Sequence, residues 1–319
     1  MEMTNNSIME KQKLGVLDIL EEALVISTNS ISFLIFILFM SLPLFLFSIS
    51  YEIFFQRVLA EAIRILTPPA GYSNFWWPAP GFIFSQVDKG FLYKLLHLFL
   101  LYLIPFHLLE LFTAVITVDL ASKSYAGDKP MTLKDMVPRS IHYNKLRAPF
   151  ITSVYVLALS ICTLPGFLWL VMNYYASFFN EVYAVPLTIF YGVASVLLLG
   201  KYMEWSAVWN VGIVLSIVEE NVYGVQAIVL SEFLSRDRKQ QGGRLMLVFF
   251  AWELFGRLPC FLASCNEIGN AIIVQVSLFC LGNVIKWVTC LVYFYDCKRQ
   301  KMEKKFDEED GREIKAGDK

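Results

Sequence analysis

Residues 271–295 read AIIVQVSLFCLGNVIKWVTCLVYFY, and the segment that follows, 296–305, reads DCKRQKMEKK. A single charged side chain, Lys286, interrupts the apolar stretch. Crossing about 30 Å of hydrocarbon takes about 20 mostly apolar residues. The stretch therefore reads as a transmembrane helix with a basic flank at one end. Working outward, five more stretches share its character, at 31–51, 91–118, 149–173, 185–218 and 244–264. None alternates strictly between apolar and polar residues, so helices rather than a barrel must satisfy the backbone inside lipid.

Composition agrees with that reading. Of 319 residues, 56% are apolar and only 17% charged, and mean hydropathy is +0.54. Soluble domains lie near half apolar and about a quarter charged. The expectation is an all-α integral membrane protein, a bundle of six transmembrane helices with interfacial amphipathic helices. It divides into an amphipathic segment at 1–30, a six-helix domain at 31–297 and a charged, disordered tail at 298–319.

The basic residues set the expected orientation. Lys123, Lys129, Lys134, Arg139, Lys145 and Arg147 follow the second run, and Arg236, Arg238, Lys239 and Arg244 follow the fourth. Lys298, Arg299, Lys301, Lys304 and Lys305 follow the sixth, whereas the connections after the third and fifth runs carry no Lys or Arg. The positive-inside rule places these three basic sets, and both termini, in the cytosol. Which membrane the chain enters (endoplasmic reticulum, another endomembrane or the plasma membrane) stays open. The first 29 residues do not read as a cleavable signal peptide. The sequon Asn5-Asn6-Ser7 falls on the expected cytosolic side, where no glycan is expected.

Several local patterns refine the picture. Residues 13–26, KLGVLDILEEALVI, put Leu14, Leu17, Leu20 and Leu24 on one stripe of a short surface helix that packs on the bundle. The connection after the first run begins YEIFFQRVLAEAIRIL, an expected interfacial helix with Glu52, Gln56, Arg57, Glu61 and Arg64 near one face. Pro68-Pro69 ends it, and Phe75, Trp76 and Trp77 suit the headgroup boundary, as an interfacial flap or else a lid over a cavity. Pro43, Pro105, Pro165 and Pro259 interrupt four runs, as structural kinks first and moving parts second. The fourth run is too long for one upright span, so it tilts and projects or breaks near Gly200, while Gly212 and Ser216 suit close helix contact.

Six cysteines form no CxxC motif. Cys260 and Cys265 could pair on the outer side, and Cys297, beside Lys298 and Arg299, is a candidate for S-palmitoylation. No cofactor or metal is expected: the histidines are only His97, His107 and His142, and no HExxH, P-loop, GxSxG or GxGxxG motif occurs. Nothing points to a nucleic-acid partner, so the expected partner is the lipid bilayer, with any protein partner open.

Ionisable residues inside spans are the functional leads, since each costs about 2.5–3.5 kcal/mol to insert unless paired or hydrated. They are His107, Glu110, Lys201, Glu204, Glu253, Arg257 and Lys286. Glu253 and Arg257 can pair at i,i+4, and His107 and Glu110 share a face at i,i+3. Counting inward from the basic ends puts Glu110, Glu253 and Lys286 at similar depth, where they could converge as a solute or proton pathway. The competing reading is a set of neutralised pairs that specify helix order.

Two segments carry a resemblance. Residues 110–150, ELFTAVITVDLASKSYAGDKPMTLKDMVPRSIHYNKLRAPF, join a span end, a Thr132-x-x-Asp135 helix start and basic residues before the next span. Residues 205–247 carry Glu219, Glu220, Tyr223, Gly224, Ala227 and Ser231, again followed by basic residues. Together they look like a plant family of uncharacterised six-span transmembrane proteins. More distantly, they resemble the membrane domain associated with bacterial glycerophosphodiester phosphodiesterases. The likeness covers most of residues 14–297, and it implies that the segment around Glu219, Tyr223, Gly224, Ala227 and Ser231 is a family hallmark. No counterpart of the phosphodiesterase catalytic domain is present, so that activity is not implied. The leading expectation is a non-enzymatic membrane organiser or adaptor, and the alternative is a transporter or channel-like protein using the intramembrane cluster. A hydrated cavity reaching the cluster would favour transport; a dry, paired cluster would favour the organiser.

Overall fold

The computed structural model describes residues 14–28, 31–66, 88–125, 143–178, 184–219, 221–262 and 268–317, and among these every regular element is helical. In chain order they are α1 (Val16–Thr28), α2 (Ile31–Met40), α3 (Leu42–Leu66), α4 (Lys89–Leu101) and α5 (His107–Tyr125). Then come α6 (Tyr143–Phe178), α7 (Ala184–Val218), α8 (Val225–Ser235), α9 (Lys239–Leu262) and α10 (Ile268–Gly317). A π-helical turn, Tyr102–Phe106, joins α4 to α5, and a 3-10 turn, Arg236–Arg238, joins α8 to α9.

Five segments are long and apolar enough to cross a membrane: Leu42–Ala62, Lys89–Tyr125, Leu146–Tyr174, Val185–Val218 and Gly269–Glu303. The fifth expected run lies in α9, which is outside those five and carries Arg244, Glu253 and Arg257 along its length. The first expected span is moved. A turn at Ser41 splits it, Pro43 follows, and the apolar window slides onto α3. Residues 51–66 are consequently the second half of α3 and not a separate interfacial helix.

Helix α10 is the axis of the bundle, packing against α1, α3, α5, α7, α8 and α9. Half of its apolar window is buried inside the protein, against none for α6 and α7, which pair along the rim. The core is concentrated at the end that carries the α8–α9 turn, where Val118, Leu215, Leu245, Leu291 and Phe294 are fully enclosed. The close approaches there need glycine. A Cβ on Gly242 would lie 2.8 Å from the Tyr293 hydroxyl and 2.9 Å from the Ala207 Cβ.

Several sequence expectations change. α1 packs on the bundle with Ile19, Ala23 and Ser27 buried; Leu14 and Leu20 of the expected stripe also pack against the core, whereas Leu17 is 78% exposed and Leu24 is exposed too. Ile19, Ala23 and Ser27 recur at i,i+4 and so lie on one face of α1. α7 runs unbroken through Gly200, so the expected break there does not occur. The segment expected to be disordered after Lys298 continues α10 as helix to Gly317. Pairs from Arg299 to Asp296 and Glu303, and from Lys298 to Glu219, support its first turns. Cys297 is only 2% exposed, so its thiol does not lie open for acylation. Asn5-Asn6-Ser7, Pro68-Pro69, Phe75, Trp76, Trp77, Thr132, Asp135, His142 and Cys265 lie outside the described residues, as does the side chain of Cys260.

The segment around Glu219, Tyr223, Gly224, Ala227 and Ser231 forms the return from α7 to α8. Ser231 is wholly buried and donates to the carbonyls of Val208 at 2.9 Å and Ile228 at 2.8 Å, pinning α8 antiparallel to α7. Ala227 is also enclosed, and Gly212 faces it, since a Cβ there would sit 3.5 Å from the Ile228 Cα. Tyr223 points outward, while Glu219 pairs with Lys298 at 2.7 Å. Gly224 has φ 61° and ψ −134°, and its N–H donates to Thr152 Oγ1 at 2.8 Å. An L side chain in that backbone region costs about 1–3 kcal/mol. Gly224→Ala should therefore lower the thermal midpoint of the detergent-purified protein. Gly200→Ala, which meets nothing within 4 Å, should leave it unchanged or raise it. Equal midpoints for the two variants would sink this account.

Candidate functional site

The π-helical turn at Tyr102–Phe106 contains Pro105, whose missing N–H and ring bulk a regular helix interior would not accept. A π-turn accommodates such a residue inside a helix, and such turns recur at functional sites. Here it sets Tyr102 between two cavities of about 390 and 340 Å³. Both cavities share Tyr102, Glu110, Tyr202, Glu253 and Lys286 in their walls. The larger is completed by His107 of α5 and by α6 and α7, including Ser153, Ser160, Ser206 and Asn210. The smaller is completed by α3, α9 and α10, including Glu52, Arg257 and Gln275.

Glu110 and Lys286 make the central contact, Nζ to Oε1 at 3.1 Å, with both side chains largely buried. The Lys286 ammonium also lies 5.2 Å from the centroid of the Trp287 ring, a cation–π contact. Glu253 borders both cavities and forms no ion pair among the described residues. Its expected partner, Arg257, instead lies 5.8 Å from the centroid of the Phe55 ring. Glu52 is 5% exposed and accepts a 2.8 Å hydrogen bond from Gln56. Across the two cavities the charged lining is thus three carboxylates and two bases.

Polar atoms without partners cluster around the same walls. His107 Nε2, Gln275 Oε1 and Trp287 Nε1, all of residues in these walls, are buried without a hydrogen-bond partner among the described residues. Buried polar groups are ordinarily satisfied, and leaving one unsatisfied costs about 1–3 kcal/mol. A cavity bordered by such groups suits water or a polar solute better than an apolar one.

Not every expected member joins. Glu110, Glu253, Lys286, His107 and Arg257 line these cavities. Lys201 and Glu204 pair with each other at 2.8 Å and border a different pocket, beside the α8–α9 turn. The intervening turn of α7 sends Tyr202 and Met203 to the cavity and Lys201 and Glu204 away from it. Sequence alone does not single out Glu52, Asn210 or Gln275 as members of this site. The last two are uncharged amides within apolar runs, which is the available signal; Glu52 falls in the stretch expected to be an outer connection. Among the described residues no group of three His, Cys, Asp or Glu side chains is placed to hold a metal ion.

A second constellation closes the bundle at the α8–α9 turn. The Asp296 carboxylate, 1% exposed, accepts from the Arg238 guanidinium, from Arg299 at 2.9 Å and from Gln300. Arg238 also donates to the Leu14 carbonyl at 3.1 Å, as does Gln241 at 2.7 Å, and the Tyr293 hydroxyl donates to the Arg238 carbonyl at 3.0 Å. One buried carboxylate thereby ties the lead-in to α1, the α8–α9 turn and α10 together.

No protein-family model, curated protein or solved structure matches the chain.

Proposed function

We propose that this chain is a multi-pass membrane protein that admits a proton or small cation to a mid-bundle site, in the manner of a transporter or channel, with Glu253 as its principal ligand. What carries the reading is Glu253 itself: a carboxylate without an ion pair, bordering two cavities beside a neutralised Glu110–Lys286 pair. The lining is acidic by one formal charge, and an ionisable residue within a bundle commonly marks an ion path. In this reading α9 is the sixth span, both termini are cytosolic, and the protein is not an enzyme. The kinship with the plant six-span family belongs to the same proposal.

A cysteine-depleted variant carrying Glu253→Cys should react with a small water-soluble thiol reagent in intact membranes. Proteoliposomes of the unsubstituted protein should dissipate an imposed proton or potassium gradient, at least tenfold faster than those of Glu253→Gln. Silence at position 253 with control loops labelled, or wild-type flux equal to that of empty liposomes, would end the transport reading. The membrane organiser is the second reading. The ion-paired closure around Asp296 favours it, because a rigid platform of that kind suits a protein that holds others in place.

A further inference from the structure

At the end of the bundle opposite the α4 start, a pocket of about 750 Å³ opens between the lead-in to α1, the middle of α7 and the α8–α9 turn. Five basic side chains border it, Lys201, Arg236, Arg238, Lys239 and Arg244, against two acidic ones, Glu204 and Asp237. The contacts of these residues separate structural charges from available ones. Arg238 is held by Asp296, Lys239 by Glu232, Lys201 by Glu204, and Asp237 by Lys301. Arg236 and Arg244 are exposed and make no ion pair among the described residues. Among the described residues, the free charge of the pocket is therefore two guanidiniums.

The surroundings add a direction. α8, which ends at the turn, exposes Val225, Val229 and Phe233, while its opposite side is buried through Ala227, Ser231 and Ser235. The exposed three recur at i, i+4 and i+8, a continuous apolar stripe that leads to Arg236. Trp205, beside Glu204 on α7, is exposed as well. An apolar stripe, an indole and unpaired arginines in sequence are what an acyl chain, the headgroup boundary and a phosphate would meet in turn.

We propose that this pocket is a binding site for a phosphate-bearing anion, seated as the headgroup of an anionic phospholipid whose chains run along α8. Guanidinium suits phosphate because its planar fork donates two parallel hydrogen bonds, and basic pockets between membrane helices recur as headgroup sites. The site is separate from the mid-bundle cavities and does not depend on the transport reading.

The test uses the full chain purified in a neutral detergent, with dioctanoyl phosphatidic acid as the probe. Glycerol 3-phosphate, the same phosphate without chains, and dioctanoyl phosphatidylcholine serve as comparisons. Phosphatidic acid should bind saturably, at least tenfold more tightly than either. An Arg236→Gln, Arg244→Gln double variant should lose at least tenfold in affinity with its thermal midpoint unchanged, since both side chains are exposed and outside the Asp296 closure. Glycerol 3-phosphate binding as tightly as phosphatidic acid, and losing affinity equally in the variant, would keep the phosphate site but overturn its lipid source. No saturable binding of either phosphate, or a variant that binds like the unsubstituted protein, would overturn the proposal.

Discussion

Asp296→Ala is expected to destabilise the protein by about 3–5 kcal/mol, the range for removing one partner of a buried ion pair. The carboxylate is nearly inaccessible and accepts from Arg238, Arg299 and Gln300. Without it Arg238 remains enclosed, with the Leu14 carbonyl as its described acceptor. The apparent thermal midpoint in detergent should fall by roughly 10 °C, since each kcal/mol moves a domain of a few hundred residues by roughly 2–4 °C. Limited proteolysis should then cut earliest before α1, whose lead-in is held by Arg238 and Gln241. Arg238→Met combined with Asp296→Ala should be more stable than Asp296→Ala alone, because no unpaired buried charge remains. A midpoint within a degree or so of the unsubstituted protein would show that the closure is ornamental.

That closure was not legible in the sequence, and the reason is physical. Asp296 and Arg238 stand at the edges of apolar runs, where charges ordinarily face water and exposed pairs contribute little. Only the three-dimensional return of α8 and α9 onto α10 encloses them, and no periodicity in 236–244 or 296–305 reports that return. By contrast, Glu110, Glu253 and Lys286 stood out as charges inside apolar runs, and depth counting grouped them because helices rise by a constant 1.5 Å per residue. The same counting failed for Lys201 and Glu204, since depth carries no information about which face of α7 meets the cavity. Pro43 offers a third case. Its effect as a breaker was readable, but not that the span would re-form on its far side and carry Glu52 into the bundle. The expected stripe on α1 holds for Leu14 and Leu20, which pack against the core, but the fully buried face is Ile19, Ala23 and Ser27, because hydropathy alone does not say which of two neighbouring stripes turns inward.

The second large effect is expected at Lys286, and it should be asymmetric. Lys286 pairs with Glu110 at 3.1 Å, and Glu253 lines the same two cavities. Glu110→Gln removes one acid and leaves Lys286 a second carboxylate to turn towards. Lys286→Met removes the base that faces both acids and leaves two carboxylates in the walls of the same cavities. Each unpaired charge there costs about 2.5–3.5 kcal/mol on insertion scales, so Lys286→Met should sharply reduce both membrane yield and thermal midpoint, while Glu110→Gln should cost less than half as much. The double variant should be more stable than Lys286→Met by about 1–3 kcal/mol, the usual coupling of contacting residues. Adding Glu253→Gln should recover more, because the last carboxylate common to both cavities then disappears. Equal losses from Glu110→Gln and Lys286→Met would mean the two residues act only as an isolated pair. In that event Glu253 would have no electrostatic share in the cluster, and the case for it as a cation ligand would fall with the asymmetry.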